Sequence, residues 1–282
     1  MRRLRRHALR RVAGIGLALG LTAACSGQSP PEAGVPAPVG AYARVKVVIA
    51  RGVDTSNVLF SSRFVGFRGI DRSIADLLTG GDATIGYGCG PAPAGAPFED
   101  LVALAGQGQV EHLDAGEVTA VVDGVALATA PNVKPALAPY VAGLEYQDNA
   151  AALAVPRGDV VVTGLGGARI GPFEAAASLP PPVEAHASWA ADLAVTWTPI
   201  AADEVTLTIA PERGASAVVC RVADRGEIHV RPDLLARVAG VNAGDPVTVV
   251  IDRAVRTGFA APGLADASLE VVARDVVTAT AN

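Results

Sequence analysis

The sequence predicts an all-β protein organised as two β-sandwich domains, with helix confined to short turns. Three observations lead there. Apolar residues recur at every second position along several short segments, and Pro, Gly and Asp interrupt those segments at close intervals. The segments with helical character are too short to form a helical layer. Half of the residues are hydrophobic but only 4% are aromatic, so the cores are expected to consist mainly of Val, Ala and Leu.

Residues 1–24 stand apart from that body as a lipoprotein-type signal peptide. Arg2, Arg3, Arg5, Arg6, Arg10 and Arg11 precede an uncharged run, Val12 to Ala24, which is a positive n-region followed by an h-region. A spanning helix takes about 20 apolar residues, so this run is too short for a permanent span and cleavage is expected. Leu21-Thr22-Ala23-Ala24-Cys25 resembles a bacterial lipobox, in which the cysteine thiol receives diacylglycerol and cleavage follows on its N-terminal side. Thr22 stands where the common pattern has Leu. Ordinary secretion, with Thr22 and Ala24 as the small residues of the cleavage site, is the competing reading. Lipid on Cys25 would supply about 0.8 kcal/mol per buried CH2, and two or more acyl chains anchor stably without a protein span. The expected location is therefore the cell envelope, outside the cytoplasm, with the N-terminal lipid in a membrane. Arg5-Arg6 also faintly resembles a twin-arginine signal, without the usual aromatic after the pair.

Residues 25–41 carry Pro30, Pro31, Pro36 and Pro38 among small residues and read as an extended tether. The first domain, residues 42–180, offers strands over Ala43 to Ala50, Val58 to Phe67, Glu117 to Val122, Asp159 to Thr163 and Phe173 to Leu179. Arg72 to Leu78 and Phe98 to Leu104 could each form one or two helical turns. Pro180-Pro181-Pro182 lacks ladder donors and cannot lie inside a central strand, so it marks the boundary. In the second domain, residues 181–282, Val195 and Trp197 alternate with Thr196 and Thr198, and Val205, Leu207 and Ile209 with Thr206 and Thr208. Val247, Val249 and Ile251 repeat that period with Thr248 and Asp252 outside. In Leu269 to Thr280 the apolar parity breaks near Arg274-Asp275, as at a β-bulge. Pro232 at a first turn starts a short helix reaching Val238.

Charge limits the partners. Residues 1–24 hold six of the 23 basic residues and none of the 28 acidic ones, which leaves 17 against 28 and a net charge of −11. Nucleic acid is an unfavourable partner for such a chain. Cys89 and Cys220 remain once Cys25 is assigned to lipid, and two readings are open: a disulfide, or two separate buried thiols.

No residue set reads as a catalytic, metal or cofactor site. Glu111-His112-Leu113-Asp114 is the densest ligand-like cluster, but neighbouring strand residues point to opposite faces. Gly214-Ala215-Ser216-Ala217-Val218 lacks the final glycine of a nucleophile elbow. Gly164 to Gly171 is glycine-rich, yet Pro172 and a strand follow it where a phosphate loop needs a helix, so it reads as a hairpin turn. Asp114-Ala115-Gly116 and Asp224-Arg225-Gly226 echo each other as tight turns, or as the trace of a duplication. Trp189 could serve as a sugar-stacking platform or as an interface plug, and the plug is the preferred reading.

Trp197 followed by Cys220 suggests an immunoglobulin-like architecture, although the Cys, Trp, Cys order of that family is not met. Leu113 to Gly116, Gly171-Pro172-Phe173 leading to the three prolines, Asp192 to Trp197, and Cys220 followed by Asp224-Arg225-Gly226 and Leu234-Leu235 form a wider pattern. Through these residues the stretch from about 85 to 280 resembles a group of uncharacterised lipoproteins of myxobacteria and related GC-rich bacteria. That resemblance implies a lipid-anchored β-sandwich and brings no activity or catalytic residue with it. The functional expectation is a non-catalytic envelope lipoprotein that engages a protein or a polysaccharide. A hydrolase using dispersed carboxylates and a structural or assembly subunit are the alternatives.

Overall fold

The computed structural model describes residues 39–52, 55–68, 87–92, 110–128, 130–133, 144–147, 151–154, 156–200, 204–212 and 216–280. The signal peptide expected over 1–24, Cys25, nearly all of the tether expected over 25–41 and the turns expected at 72–78 and 98–104 lie outside the described residues. Residues 37–282 belong to one compact unit.

That unit is all-β apart from one short helix among the described residues. In chain order the strands are β1 (Val39–Arg51), β2 (Ser56–Arg68), β3 (Gly88–Pro91), β4 (Val110–His112), β5 (Val118–Val122) and β6 (Val125–Ala128). They continue with β7 (Ala130–Val133), β8 (Leu144–Gln147), β9 (Ala151–Leu153), β10 (Asp159–Gly164), β11 (Phe173–Ser178) and β12 (Ala185–Trp189). The last are β13 (Leu193–Trp197), β14 (Val205–Pro211), β15 (Val218–Val222), β16 (Glu227–Val230), β17 (Val247–Gly258) and β18 (Asp266–Ala279). Helix α1 (Pro232–Ala239) precedes β17, with Pro232 in its first turn and Gly240 closing it at φ 69°.

One long sheet of eleven strands runs β3-β15-β14-β17-β18-β1-β2-β8-β7, with β4 and β9 also pairing with β2. Its centre joins the two ends of the chain, since β1 pairs in parallel with β18 from Tyr42 opposite Asp266 to Ala50 opposite Arg274. Among the described residues two smaller sheets accompany it: β11-β10-β5-β6 and β12-β13-β16. Both lie over the same face of the long sheet, because inward residues of one parity along β18 serve two cores in turn. Leu269 and Val271 enter the first core with Val45, Phe64, Val118 and Val162, while Ala273 and Ala279 enter the second with Leu207, Ile251, Val195 and Trp197. In the first core Phe64 lies tilted on Phe173 and Phe173 stacks on Phe259, with centroids 5.5 and 5.1 Å apart. Apart from these, Phe60 and Trp197, the cores are mostly aliphatic side chains, each fully buried one stabilising by about 1.5–3 kcal/mol when it is as large as Val or Leu.

Pro180-Pro181-Pro182 carries the chain from β11 in one small sheet to β12 in the other, where no ladder partner is needed. The cores change at this point, but β17 and β18 run beneath both. The bulge expected at Arg274-Asp275 is absent. β17 and β18 stay in unbroken antiparallel register from Val247 opposite Ala279 to Gly258 opposite Ser268. Asp275 takes a core-facing position, and its carboxylate accepts the backbone N–H of Ala185 at 2.9 Å. A satisfied polar residue, not an inserted one, interrupts the apolar pattern.

Candidate functional site

Strand alternation puts a set of charged residues on the outer side of the long sheet, among which the outward Val48, Val65 and Val272 are themselves buried. In β1 the inward Ala43, Val45 and Val47 alternate with Arg44 and Lys46. The same parity places Ser268, Glu270 and Arg274 on the outer side of β18, Asp252 and Arg256 on that of β17, and Arg221 on that of β15. A charged ladder therefore crosses the strands. Lys46 Nζ lies 3.1 Å from Glu270 Oε1, and Arg256 Nε donates to Glu270 Oε2 at 2.9 Å. Arg256 also reaches Glu204 at 3.7 Å, Arg221 Nε donates to the same carboxylate at 2.7 Å, and the Tyr87 ring sits 5.4 Å from the Arg221 guanidinium. Beside this row Arg274 grips Asp252 through two hydrogen bonds of 2.6 Å each, the bidentate fork that favours guanidinium over ammonium. Arg44 and Arg63 stand directly opposite one another on β1 and β2.

Burial disfavours the charged form of Glu270, but the Lys46 and Arg256 charges and their hydrogen bonds outweigh it and hold the carboxyl below its ordinary value. Glu270 is 2% exposed, whereas the Arg256 and Arg274 side chains keep 40% and 31% of their surface. The ladder is a largely buried set of carboxylates with part-exposed cations above it. Tyr87 is 68% exposed.

A second charged cluster is buried between the two cores. Arg253 and Asp224 have no exposed side-chain surface, and their Nε and Oδ2 atoms are 3.3 Å apart. Asp224 accepts the Trp197 indole N–H at 2.6 Å and the backbone N–H of Ile200 at 3.0 Å. Arg253 donates to the carbonyls of Thr198, Pro181 and Pro182 at 2.6, 3.2 and 3.4 Å. This cluster staples the proline run to β17, and its groups are turned toward backbone and toward one another.

The other sequence candidates separate. Glu111 is exposed and paired with Arg169, His112 is half-buried, Leu113 enters the core, and Asp114 accepts the backbone N–H of Gly116 at 2.8 Å. No group of three metal-ligating side chains converges among the described residues. Gly164 to Gly171 connects β10 to β11 in a hairpin. Its glycines permit close backbone approach: a Cβ on Gly167 would lie 2.3 Å from the Asp114 carbonyl oxygen. Gly214 and Ala215 lie outside the described residues. Trp189 packs partly against the second core and donates its indole N–H to the Asp245 carbonyl at 2.9 Å. The two Asp-x-Gly turns diverge in use, since Asp114 closes its own turn and Asp224 reaches into the protein.

Cys89 and Cys220 form a disulfide across β3 and β15, with Cα atoms 4.0 Å apart at directly opposed positions. It fastens the short edge strand β3 to the long sheet. A cleft near the proline run is lined by Ile49, Arg51, Pro156, Leu179, Pro182 and Arg274 among others, and no described carboxylate lines it. No described helix is long and apolar enough to cross a membrane. Sequence reasoning missed both the ladder and the buried cluster, although the parity of β1 and β17 contains the signal for each. Compared with protein-family models, curated proteins and solved structures, the chain matches none.

Proposed function

We propose that this chain is a lipid-anchored protein of the bacterial cell envelope, exported by residues 1–24, acylated at Cys25 and held off the membrane by residues 25–41. In this reading the body is a non-catalytic interaction module of two sandwich lobes on a common sheet, of the kind its resemblance to myxobacterial lipoproteins implies. The outer face of the long sheet meets an envelope protein or polysaccharide. The observation that carries the reading is the charged ladder itself, in which the part-exposed Arg221, Arg256 and Arg274 stand over largely buried carboxylates.

The hydrolase alternative needs a carboxyl group that can hold a proton near neutrality. Glu270 is held ionised by its cations, and Asp224 is occupied on both oxygens. These contacts favour binding over catalysis.

Two experiments test the proposal. Palmitate labelling of the intact protein should be lost in Cys25→Ala, and equal labelling refutes the anchor. Cross-linking of the full chain in envelope membranes should capture a partner that an Arg44→Glu, Arg63→Glu variant fails to capture. Equal capture by both proteins would refute the assignment of the face.

A further inference from the structure

We infer that the chain cuts itself at the Asp245–Pro246 peptide bond, by attack of the Asp245 carboxylate on its own main-chain carbonyl. The reaction runs once per molecule, at the turn that leads into β17, and asks nothing of the charged ladder.

Pro246 makes this bond chemically weak. Its ring nitrogen belongs to a tertiary amide without an N–H, and it stands just ahead of β17, whose pairing begins at Val247. An aspartate on the acyl side of such an amide can close a five-membered cyclic anhydride within one residue, so nucleophile and carbonyl need no third element to bring them together. The turn holds the carboxylate. Asn242 donates to Asp245 Oδ2 through its backbone N–H at 2.7 Å and its side-chain Nδ2 at 3.2 Å, and the Asp245 amide donates back to the Asn242 carbonyl at 3.1 Å. Gly244 supplies the left-handed link between them at φ 87°. Both of those bonds fall on Oδ2, and none reaches Oδ1 among the described residues. One carboxylate oxygen is clamped and the other is free to attack. The carbonyl is held as well, because its oxygen accepts the Trp189 indole N–H at 2.9 Å. Charge develops on that oxygen as the tetrahedral intermediate forms, so a fixed donor there lowers the barrier. Trp189 is carried by a paired strand, opposite Leu193, and rests against the second core.

In the first step Oδ1 bonds to the Asp245 carbonyl carbon while Trp189 holds the oxyanion. Collapse of that intermediate breaks the bond to Pro246, whose nitrogen takes a proton from solvent, and the exposed ring leaves it within reach of water. Water then opens the anhydride and leaves two carboxyl groups on Asp245. The net change is hydrolysis of one peptide bond by one water, with no change of oxidation state. Residues 246–282 keep their place after the cut, since β17 pairs with β14 on one side and β18 with β1 on the other. The product is a two-piece body with the same sheets.

The test incubates the full chain in detergent at about pH 5 and about pH 8 and follows its intact mass, with faster cutting expected at the lower pH because the leaving nitrogen needs a proton. The fragments should end at Asp245 and begin at Pro246. Hydroxylamine present during the cut should be captured as a hydroxamate on Asp245, the mark of an anhydride. Asp245→Ala and Pro246→Ala should stay whole, and Trp189→Phe should slow the cut about a hundredfold, the scale of one oxyanion donor. Wild type unfolded in guanidinium chloride should cut at least about tenfold more slowly than the folded chain, because the turn and the indole no longer hold the reacting groups. Absence of fragments, equal cutting of Asp245→Ala, a cut without hydroxamate, or an unchanged rate in folded Trp189→Phe would overturn the inference. So would an unfolded chain that cuts as fast as the folded one, since only the ordinary acid lability of an Asp–Pro bond would then be left. That comparison decides alone if Trp189→Phe does not fold.

Discussion

Asp224→Ala tests the claim that a buried ion pair staples the proline run. The substitution leaves the Arg253 guanidinium, with no exposed surface, deprived of its carboxylate, and it strips the Trp197 indole and the Ile200 amide of their acceptor. Breaking a buried pair from one side costs about 3–5 kcal/mol, and each unsatisfied buried donor about 1–3 kcal/mol. These terms overlap, because the groups share one site, so a total of about 4–5 kcal/mol is expected. For a unit of this size roughly 2–4 °C is lost per kcal/mol, which predicts a fall in Tm of about 8–20 °C. Urea unfolding of the wild type, Asp224→Ala, Arg253→Met and the double variant forms the assay. The double variant should be more stable than Asp224→Ala alone, because it removes the orphaned charge, even though the Thr198, Pro181 and Pro182 carbonyls lose a donor. The loss in Asp224→Ala should also be insensitive to NaCl, since neither group meets solvent. A loss below about 1 kcal/mol, or single-variant losses that simply add in the double, would refute the staple.

Glu270→Gln should cost about 2 kcal/mol at neutral pH, the scale of hydrogen bonds to a charged partner. Because the folded pKa of Glu270 lies below its unfolded value of about 4.3, its stabilisation is complete above that pH and disappears as pH falls through the folded value. The gap between wild type and variant should therefore close below about pH 4, and a gap that persists at lower pH would contradict the assignment. Cys89 and Cys220 are 131 residues apart, and the chain-entropy model assigns their bridge about 5 kcal/mol. Reduction, or Cys89→Ala with Cys220→Ala, should lower stability by a comparable amount. Hydrogen exchange should rise first in β3, and uniform protection across the sheet after reduction would count against β3 as a fastened edge.

Strand identity was the most legible part of the fold. The alternation of Val205, Leu207 and Ile209, and of Val247, Val249 and Ile251, states which side of each strand is buried, and those residues are buried. Neighbour choice was not legible, because alternation fixes a face and leaves the partner open. Nothing local in Tyr42 to Ala50 specifies parallel pairing with Asp266 to Arg274. Continuing the period beyond Ile251 points Arg253 inward, but a lone inward arginine acquires meaning only when Asp224 arrives from a distant turn. Likewise Asp224-Arg225-Gly226 reads as turn chemistry, and Gly226 does adopt a φ of 87°. The second use of the aspartate depends on tertiary contact. The ladder was partly visible as Arg44 and Lys46 between apolar residues, while its acids come from strands far along the chain.

The parallel junction of β1 with β18 also sets a schedule for folding. β1 emerges first, yet the strand that completes its second side is made about two hundred residues later. Until then its unpaired edge and apolar face must be kept from other chains, and closing so distant a pair is intrinsically slow. A protein wired in this way gains from a companion that shields its opening strand during the wait.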